Sequence, residues 1–215
     1  MPVGCLGVEG VLNRVATNAN HISQLNSHQF EDVYQELGIN LDNLGCIMLD
    51  LKPLPNMYSI EYDGGAVSLY SSPKPERFWI NGWVADKTPH ITLLYGLLES
   101  GRNYAKYVER VLNGWRLADV EIDHVSYFDS HYPDEPYYCI VAHIKVTPEL
   151  LEGHQRLEFL PHINTFAGYK PHMTVAYIRK DQGEGYRDSL IQHLNNAWAG
   201  KRMEVLPYPN LGGNK

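Results

Sequence analysis

The amino-acid sequence predicts an α+β fold whose strands pair mainly in antiparallel fashion. From residue 90 to residue 198, segments follow one another in the order strand, helix, strand, strand, helix, strand, helix, which is typical of this class. The strand-like segment HITLLYG (90–96) is matched in pattern by HMTVAYI (172–178), with one copy in each half of the chain. This repetition predicts two similar lobes.

Composition is that of an ordinary globular protein. The chain of 215 residues is 44% hydrophobic, which suffices for a sizeable core in one large domain or one domain with an extension. No segment approaches 18 uninterrupted apolar residues, and the N-terminus lacks the pattern of a secretory signal, so neither membrane insertion nor secretion is expected. Three scattered cysteines favour a reduced, cytosolic protein over a disulfide framework.

The charge balance bears on the kind of partner. The net charge is −7, from 25 acidic and 18 basic residues, and Lys and Arg form no dense cluster. Proteins that bind long nucleic acid usually carry a basic face. The sequence therefore argues against a binder of long duplexes, whereas a small nucleotide held in a local pocket is compatible with it.

Residues 1–44 predict an N-terminal helical extension. Gly38 is suited to a helix C-terminus, and the apolar residues before it recur at roughly helical spacing: Ile22, Leu25, Phe30, Val33 and Leu37. One or two helices are expected here, packed on the outside of the main domain as a cover.

The main domain is predicted to span 45–206. Strands are expected where apolar, β-branched and aromatic residues run between turn residues, at 46–51, 64–72, 90–96, 120–128, 137–146 and 172–178. Helices are expected at helical apolar spacing, at about 100–114, 147–160 and 185–198. Thr147 followed by Pro148 is a typical helix start. A short strand from Lys201 precedes a loose tail at 207–215.

The segment TPHITLLYG places polar residues inside an apolar strand. Side chains on a strand alternate between its two faces, so His90 and Thr92 share one face. The opposite face is expected to pack in the core and holds Ile91, Leu93 and Tyr95.

The segment KPHMTVAYI repeats this arrangement 82 residues later. His172 and Thr174 share one face, and the opposite, core-facing side holds Met173, Val175 and Tyr177. Both copies read Pro-His-x-Thr-apolar-x-Tyr, and even one match to the Pro, His, Thr and Tyr positions is expected only about 0.001 times in a chain of this composition. Two His/Thr pairs are therefore predicted to meet in one cleft.

Paired histidines and threonines suit phosphoryl chemistry. Imidazole has an ordinary pKa near 6.5, so one histidine can accept a proton from the attacking group while the other, protonated, supplies the leaving oxygen. Threonine hydroxyls can donate hydrogen bonds to the non-bridging phosphate oxygens. This scheme requires no metal and no cofactor, and the sequence leaves open which histidine is the acid.

The two motifs resemble those of the 2H phosphoesterase superfamily, which is named for its two His-x-Thr/Ser motifs. The resemblance implies a bilobal fold with two mainly antiparallel sheets, outer helices and a central cleft, and metal-independent cleavage of a phosphodiester beside a ribose hydroxyl. It implies that His90 and His172 are the acid/base pair, and that Thr92 and Thr174 hold the phosphate. Some viral members destroy the nucleotide signals of host immunity.

Four further residues are candidates for substrate binding. Trp79 and Trp83, in the Pro-flanked loop before the first motif, could stack on a base, or could close the core beneath the loop. Tyr169 and Lys170, just before the second motif, could flank the cleft and contact phosphate, or could be solvated loop residues. Spacings typical of a zinc site do not occur among the histidines, and His162 has Asn164 in place of the motif threonine.

The sequence thus favours a phosphodiesterase that acts on a small nucleotide, either a cyclic oligonucleotide signal or a 2′,3′-cyclic phosphate. A viral anti-defence role in the host cytoplasm is one hypothesis within this interpretation. The alternatives are an RNA-end-processing cyclic phosphodiesterase or ligase, and a binding protein that sequesters nucleotides without cleaving them. Base preference, linkage and oligomeric state are left open.

Overall fold

The computed structural model describes residues 44–55, 57, 59–62, 65–68, 89–129, 137–163 and 168–212. The predicted helices of the N-terminal extension, up to residue 43, lie outside this part of the chain, and so do Trp79 and Trp83. What the structure describes is an α+β fold, as predicted.

The strands, numbered in chain order, are β1 Gly45–Leu51, β2 Ser59–Tyr62, β3 Gly65–Ser68, β4 His90–Leu97, β5 Asp119–Asp129, β6 Tyr137–Ile144, β7 His172–Arg179 and β8 Arg202–Gly212. The α-helices are α1 Ala105–Val111, α2 Pro148–Leu157 and α3 Glu184–Trp198. Thr147 caps α2, and its Oγ1 accepts a hydrogen bond from the backbone nitrogen of Leu150 at 3.2 Å, as the Thr-Pro signal predicts. The sequence did not predict β2, which pairs with β3 in a separate two-stranded sheet.

Six of the described strands form one antiparallel sheet in the order β4-β1-β8-β5-β6-β7. The expectation of two lobes, each built on its own sheet, is therefore not confirmed in this part of the chain, because both motif strands belong to the same six-stranded sheet. The reason is β8, whose first residues pair with β5 and whose later residues pair with β1, so that it joins the two halves. The motif strands β4 and β7 lie at opposite ends of this order.

The predicted loose tail is wrong for residues 207–212, which belong to β8. Pro207 and Pro209 would ordinarily disfavour a strand, because proline cannot donate to a ladder. In the structure β8 pairs with β5 only through 202–204, so the prolines lie where its ladder is with β1 alone. A strand that is central over part of its length can accommodate proline where it has a single neighbour.

One face of the six-stranded sheet packs against the helices and forms the core. The side chains of Ile47, Leu49, Ile91 and Leu93 are almost fully buried there, in one cluster with Leu150 and other residues of α2 and α3. The side chains that alternate with them are partly exposed on the opposite face, which we call the open face. None of the described helices is long and apolar enough to cross a membrane.

Arg187 of α3 is a buried cation with an unusual environment. It is 5% exposed, and its guanidinium carbon lies 4.0 Å from the ring centre of Tyr127 and 4.5 Å from that of Tyr138. Its Nε also donates to Asp188 at 2.8 Å. The positive charge is thus balanced by a carboxylate and two ring faces, which fastens α3 to β5 and β6.

Candidate active site

The first motif occupies the start of β4. His90 and Thr92 lie half-buried on the open face, as the alternation predicts, and pair in register with Asp50 and Met48 of β1. The carboxylate of Asp50 accepts hydrogen bonds from the side-chain amide of Asn210 at 3.2 and 3.3 Å. His90 therefore has an acidic neighbour across the strand pair.

The second motif occupies the start of β7 in the equivalent way. His172 and Thr174 are half-buried on the open face and pair in register with His143 and Val141 of β6. Although β4 and β7 end the strand order on opposite sides, they lie close together, so the sheet curves to bring its two edges near each other. Burial lowers the pKa of His172, and the charge of His90 contributes in the same direction, as expected for two neighbouring imidazoles.

A β-bulge in β4 changes the position of Tyr95. On β1, Ile47 and Met48 are consecutive, yet they pair with Leu94 and Thr92, so Leu93 is an extra residue. The alternation of β4 shifts by one there, and Tyr95 pairs with Cys46, which shares a face with Met48. The expected core position of Tyr95 is wrong: the bulge moves its side chain to the open face, where it is 42% exposed.

An equivalent bulge occurs in β7. Ile140 and Val141 of β6 pair with Ala176 and Thr174, which makes Val175 the extra residue. Tyr177 therefore pairs with Cys139 and joins Thr174 on the open face, so its expected core position is wrong for the same reason. Its ring makes a T-shaped contact with Tyr137, with ring centres 5.2 Å apart.

The bulge of β4 is held by two side chains from other elements. The Nδ1 of His154, on α2, donates to the carbonyl of Leu93 at 2.7 Å, and the hydroxyl of Tyr169 donates to the carbonyl of Thr92 at 3.2 Å. The two rings stack in parallel, with centres 4.0 Å apart. Burial raises the pKa of Tyr169, so its hydroxyl stays a donor. These contacts link β4 to the segment that leads into β7.

The surroundings of His172 select one tautomer. Its Nδ1 donates to the carbonyl of Lys170 at 2.8 Å, and because a carbonyl only accepts, the proton lies on Nδ1 and the lone pair of the neutral ring lies on Nε2. The edge-to-face contact with Phe128, at 4.9 Å, restricts the ring. Burial and the charge of His90 lower the pKa of His172, against an opposing effect of the Lys170 carbonyl. The ring is therefore suited to accepting a proton at Nε2.

A histidine cluster that sequence reasoning did not single out continues from His172 across the open face. His143 shares a 2.6 Å hydrogen bond with Ser126 and stacks on His124 with ring centres 4.4 Å apart. Burial lowers the pKa of His143, and the charges of His124 and His172 lower it further. Period-two alternation could have grouped His124 with Ser126, but their meeting with His143 depends on the pairing of β5 with β6.

The predicted binding residues have different outcomes. Tyr169 is packed against the core and uses its hydroxyl to hold β4. Lys170 is exposed, and its positive charge adds to the effect of burial in lowering the pKa of His143. Substrate contact by either residue stays a prediction. Trp79 and Trp83 lie outside the described residues.

Outside both motifs, His162 donates from Nδ1 to the carbonyl of Leu160 at 2.7 Å. Among the residues that the structure describes, no group of three or more His, Cys, Asp or Glu side chains is placed to hold a metal ion.

The two His-x-Thr strands thus contact each other although they lie at opposite ends of the strand order of one antiparallel sheet. The family model of the 2′-5′ RNA ligase superfamily matches residues 72–206, which is more than half of the chain and includes both motifs. The chain belongs to this superfamily, and the resemblance to the 2H phosphoesterases is thereby confirmed. Membership supports a phosphodiesterase or RNA-processing role in general.

Two solved structures of Usb1 from Kluyveromyces marxianus are similar to the chain, each at 10% sequence identity. The first has a TM-score of 0.43 and the alignment covers 80% of this chain and 95% of that one. The second, with uridine monophosphate, has a TM-score of 0.40 and covers 80% and 99%. No curated protein matches the chain.

Proposed function

We propose that the protein is a metal-independent phosphodiesterase that hydrolyses a small nucleotide by paired-histidine acid/base catalysis. The observation that carries this proposal is the approach of His90 and His172, each followed by a threonine on the same face, at the two edges of one sheet. Family membership supports the reaction class.

In the proposed reaction His172 is the general base. Its lone pair on Nε2 accepts the proton from the attacking hydroxyl, or water, as the new O–P bond forms. The lowered pKa keeps more of the imidazole neutral near pH 7. His143, the residue opposite it in register, also has a lowered pKa, so this side of the site disfavours added positive charge.

His90 is then the general acid, which protonates the leaving oxygen as the old P–O bond breaks. The residue opposite His90 is Asp50, whose negative charge attracts a cationic imidazole. The two motifs thus differ at one equivalent position, Asp50 against His143, and this difference is the basis for assigning opposite roles to the two histidines.

Thr92 and Thr174 complete the proposed machinery. Each hydroxyl lies two residues after its histidine on the open face, where it can donate to a non-bridging oxygen of the phosphate. Hydrogen bonds of this kind, aimed at developing charge, are typically worth about 10²–10³ in rate when one donor is removed.

The substrate class follows from charge and family rather than from a bound molecule. A net charge of −7 favours a compact nucleotide over a long duplex. Within that class we propose a cyclic oligonucleotide signal or a 2′,3′-cyclic phosphate end. Clearance of such signals in the cytoplasm of an infected cell is the corresponding anti-defence proposal. The name of the matched family keeps RNA-end processing as the second candidate.

The test is a substrate panel in excess EDTA, read by mass spectrometry. We expect turnover by the wild type and a loss of at least about 10² in kcat/KM for His90→Ala and for His172→Ala. His162→Ala is the matched control, because it removes a histidine that also follows proline but lies outside the two motifs. Undiminished turnover in either motif variant would contradict the acid/base assignment. Ligand bound tightly and recovered intact would instead establish a sequestering protein.

A further inference from the structure

The two bulges give the motif tyrosines a position that the catalytic scheme does not use. Each motif carries a tyrosine five residues after its histidine, and each bulge falls between the threonine and that tyrosine. Without the bulges, Tyr95 and Tyr177 would point into the core. With them, both rings lie on the open face beside the phosphate-holding threonines.

The spacing of each tyrosine from its threonine can be obtained from the unbroken partner strands. Thr92 and Tyr95 pair with Met48 and Cys46, which are two residues apart on β1 and therefore about 7 Å apart. The equivalent partners in the other half, Val141 and Cys139, have the same separation on β6. Each ring thus begins one same-face step beyond its threonine, within the span between a phosphate and its attached nucleoside.

We propose that Tyr95 and Tyr177 are two nucleobase platforms, one on each side of the phosphate held by Thr92 and Thr174. The side chain of Tyr95 is 42% exposed on the open face, so part of its ring is accessible to a ligand. The T-shaped contact with Tyr137 restricts the ring of Tyr177, which lowers the cost of ordering it on binding. The site therefore accepts a diester with a nucleoside on both sides.

This inference rests on the proposed function and narrows its substrate class. A linkage between two nucleosides, linear or cyclic, fills both platforms. A 2′,3′-cyclic mononucleotide carries one base and fills only one platform. The site is thus expected to prefer a linkage between two nucleosides over a cyclic mononucleotide. Because every base can stack on an aromatic ring, the two platforms are expected to accept any base.

The experiment compares Tyr95→Ala and Tyr177→Ala with the wild type on two kinds of substrate. The first is a set of linear and cyclic dinucleotides with 2′–5′ and 3′–5′ linkages, and the second is the 2′,3′-cyclic mononucleotides of the same bases. For the dinucleotide that is cleaved, each alanine variant is expected to raise KM about tenfold, whereas Tyr95→Phe and Tyr177→Phe, which keep the ring, retain the wild-type KM. For the mononucleotide at most one variant has an effect.

Tyr107→Ala is the matched control, because this tyrosine is 56% exposed on α1 and outside the site. Unchanged KM values in both alanine variants, with an active wild type, would overturn the inference and leave the proposed function intact. Cleavage of the 2′,3′-cyclic mononucleotides but of no dinucleotide would likewise overturn the inference and leave the proposed function intact. A parallel loss of kcat on both kinds of substrate, together with a lower unfolding midpoint, would show that the rings are structural. A wild type inactive on every diester would instead contradict the proposed function.

Discussion

Replacing Tyr169 by phenylalanine tests how the first motif is held in place. The change removes a single oxygen, and with it the 3.2 Å hydrogen bond to the carbonyl of Thr92, while the stack on His154 is kept. A hydrogen bond of this type contributes about 1 kcal/mol net, with a range of about 0.5–1.5. With a urea slope of about 2 kcal/mol per molar, the midpoint of unfolding is expected to fall by about 0.5 M.

The assay is equilibrium urea unfolding alongside steady-state kinetics, with Tyr107→Phe as the control for loss of a hydroxyl at an exposed position. If the hydroxyl of Tyr169 acts only by holding β4, stability falls and KM changes little. An unchanged midpoint with a severalfold rise in KM would refute this reasoning. It would show instead that the hydroxyl contacts the substrate, as the sequence first suggested.

Three further predictions follow from the fold and its charges. Gly96→Ala is expected to lower the free energy of unfolding by more than about 2 kcal/mol, because φ is +88° and an added Cβ would lie 2.1 Å from the carbonyl oxygen of Ile163. The measurement is thermal unfolding, and an unchanged Tm would contradict the prediction. Arg187→Met keeps the aliphatic part of the side chain but removes the cation that lies over two tyrosine rings. The free energy of unfolding in urea is expected to fall by about 2 kcal/mol, and a fall of less than about 0.5 kcal/mol would show that the cation–ring contacts contribute little to stability. His143 and His172 have pKa values lowered from the ordinary 6.5, so the unfolded state binds more protons than the folded state as the pH falls. Their contribution to the free energy of unfolding is therefore complete above about pH 6.5 and is lost as the pH falls toward the folded-state pKa values. A urea midpoint that does not change between about pH 7 and pH 5 would exclude this linkage.

Local patterns in the sequence were sufficient to place the two motif histidines and threonines on the open face and to locate most of the described strands and helices. Alternation alone placed His90 and Thr92 together, since both precede the bulge and their parity is unaffected. Tyr95 lies beyond the bulge, and the sequence of β4 alone does not indicate that Leu93 is the inserted residue of that bulge. The extra residue can be recognised only by comparing β4 with its partner strand, which is a non-local property.

The same limit explains why His143 and the true extent of β8 were missed. His143 becomes a neighbour of His172 only through the register of β6 with β7. The prolines of β8 are tolerated because they follow the point where pairing with β5 has ended and only β1 is a neighbour. The position of that point depends on β1 and β5, which are distant in sequence. The presence of both motif strands in one six-stranded sheet is another consequence of this shared strand.

The place of β8 also has a consequence for how the site assembles. β8 follows every other described strand in sequence, yet it lies in the middle of the sheet between β1 and β5. Its pairing with β1 joins residues more than 150 positions apart, and contacts of such sequence separation form slowly because a long loop must close first. During synthesis, β1, which pairs with the His90 strand β4, therefore cannot complete its own pairing until β8 has been made. We expect catalytic competence to appear late in refolding, in step with the closure of this last strand rather than with the formation of helices.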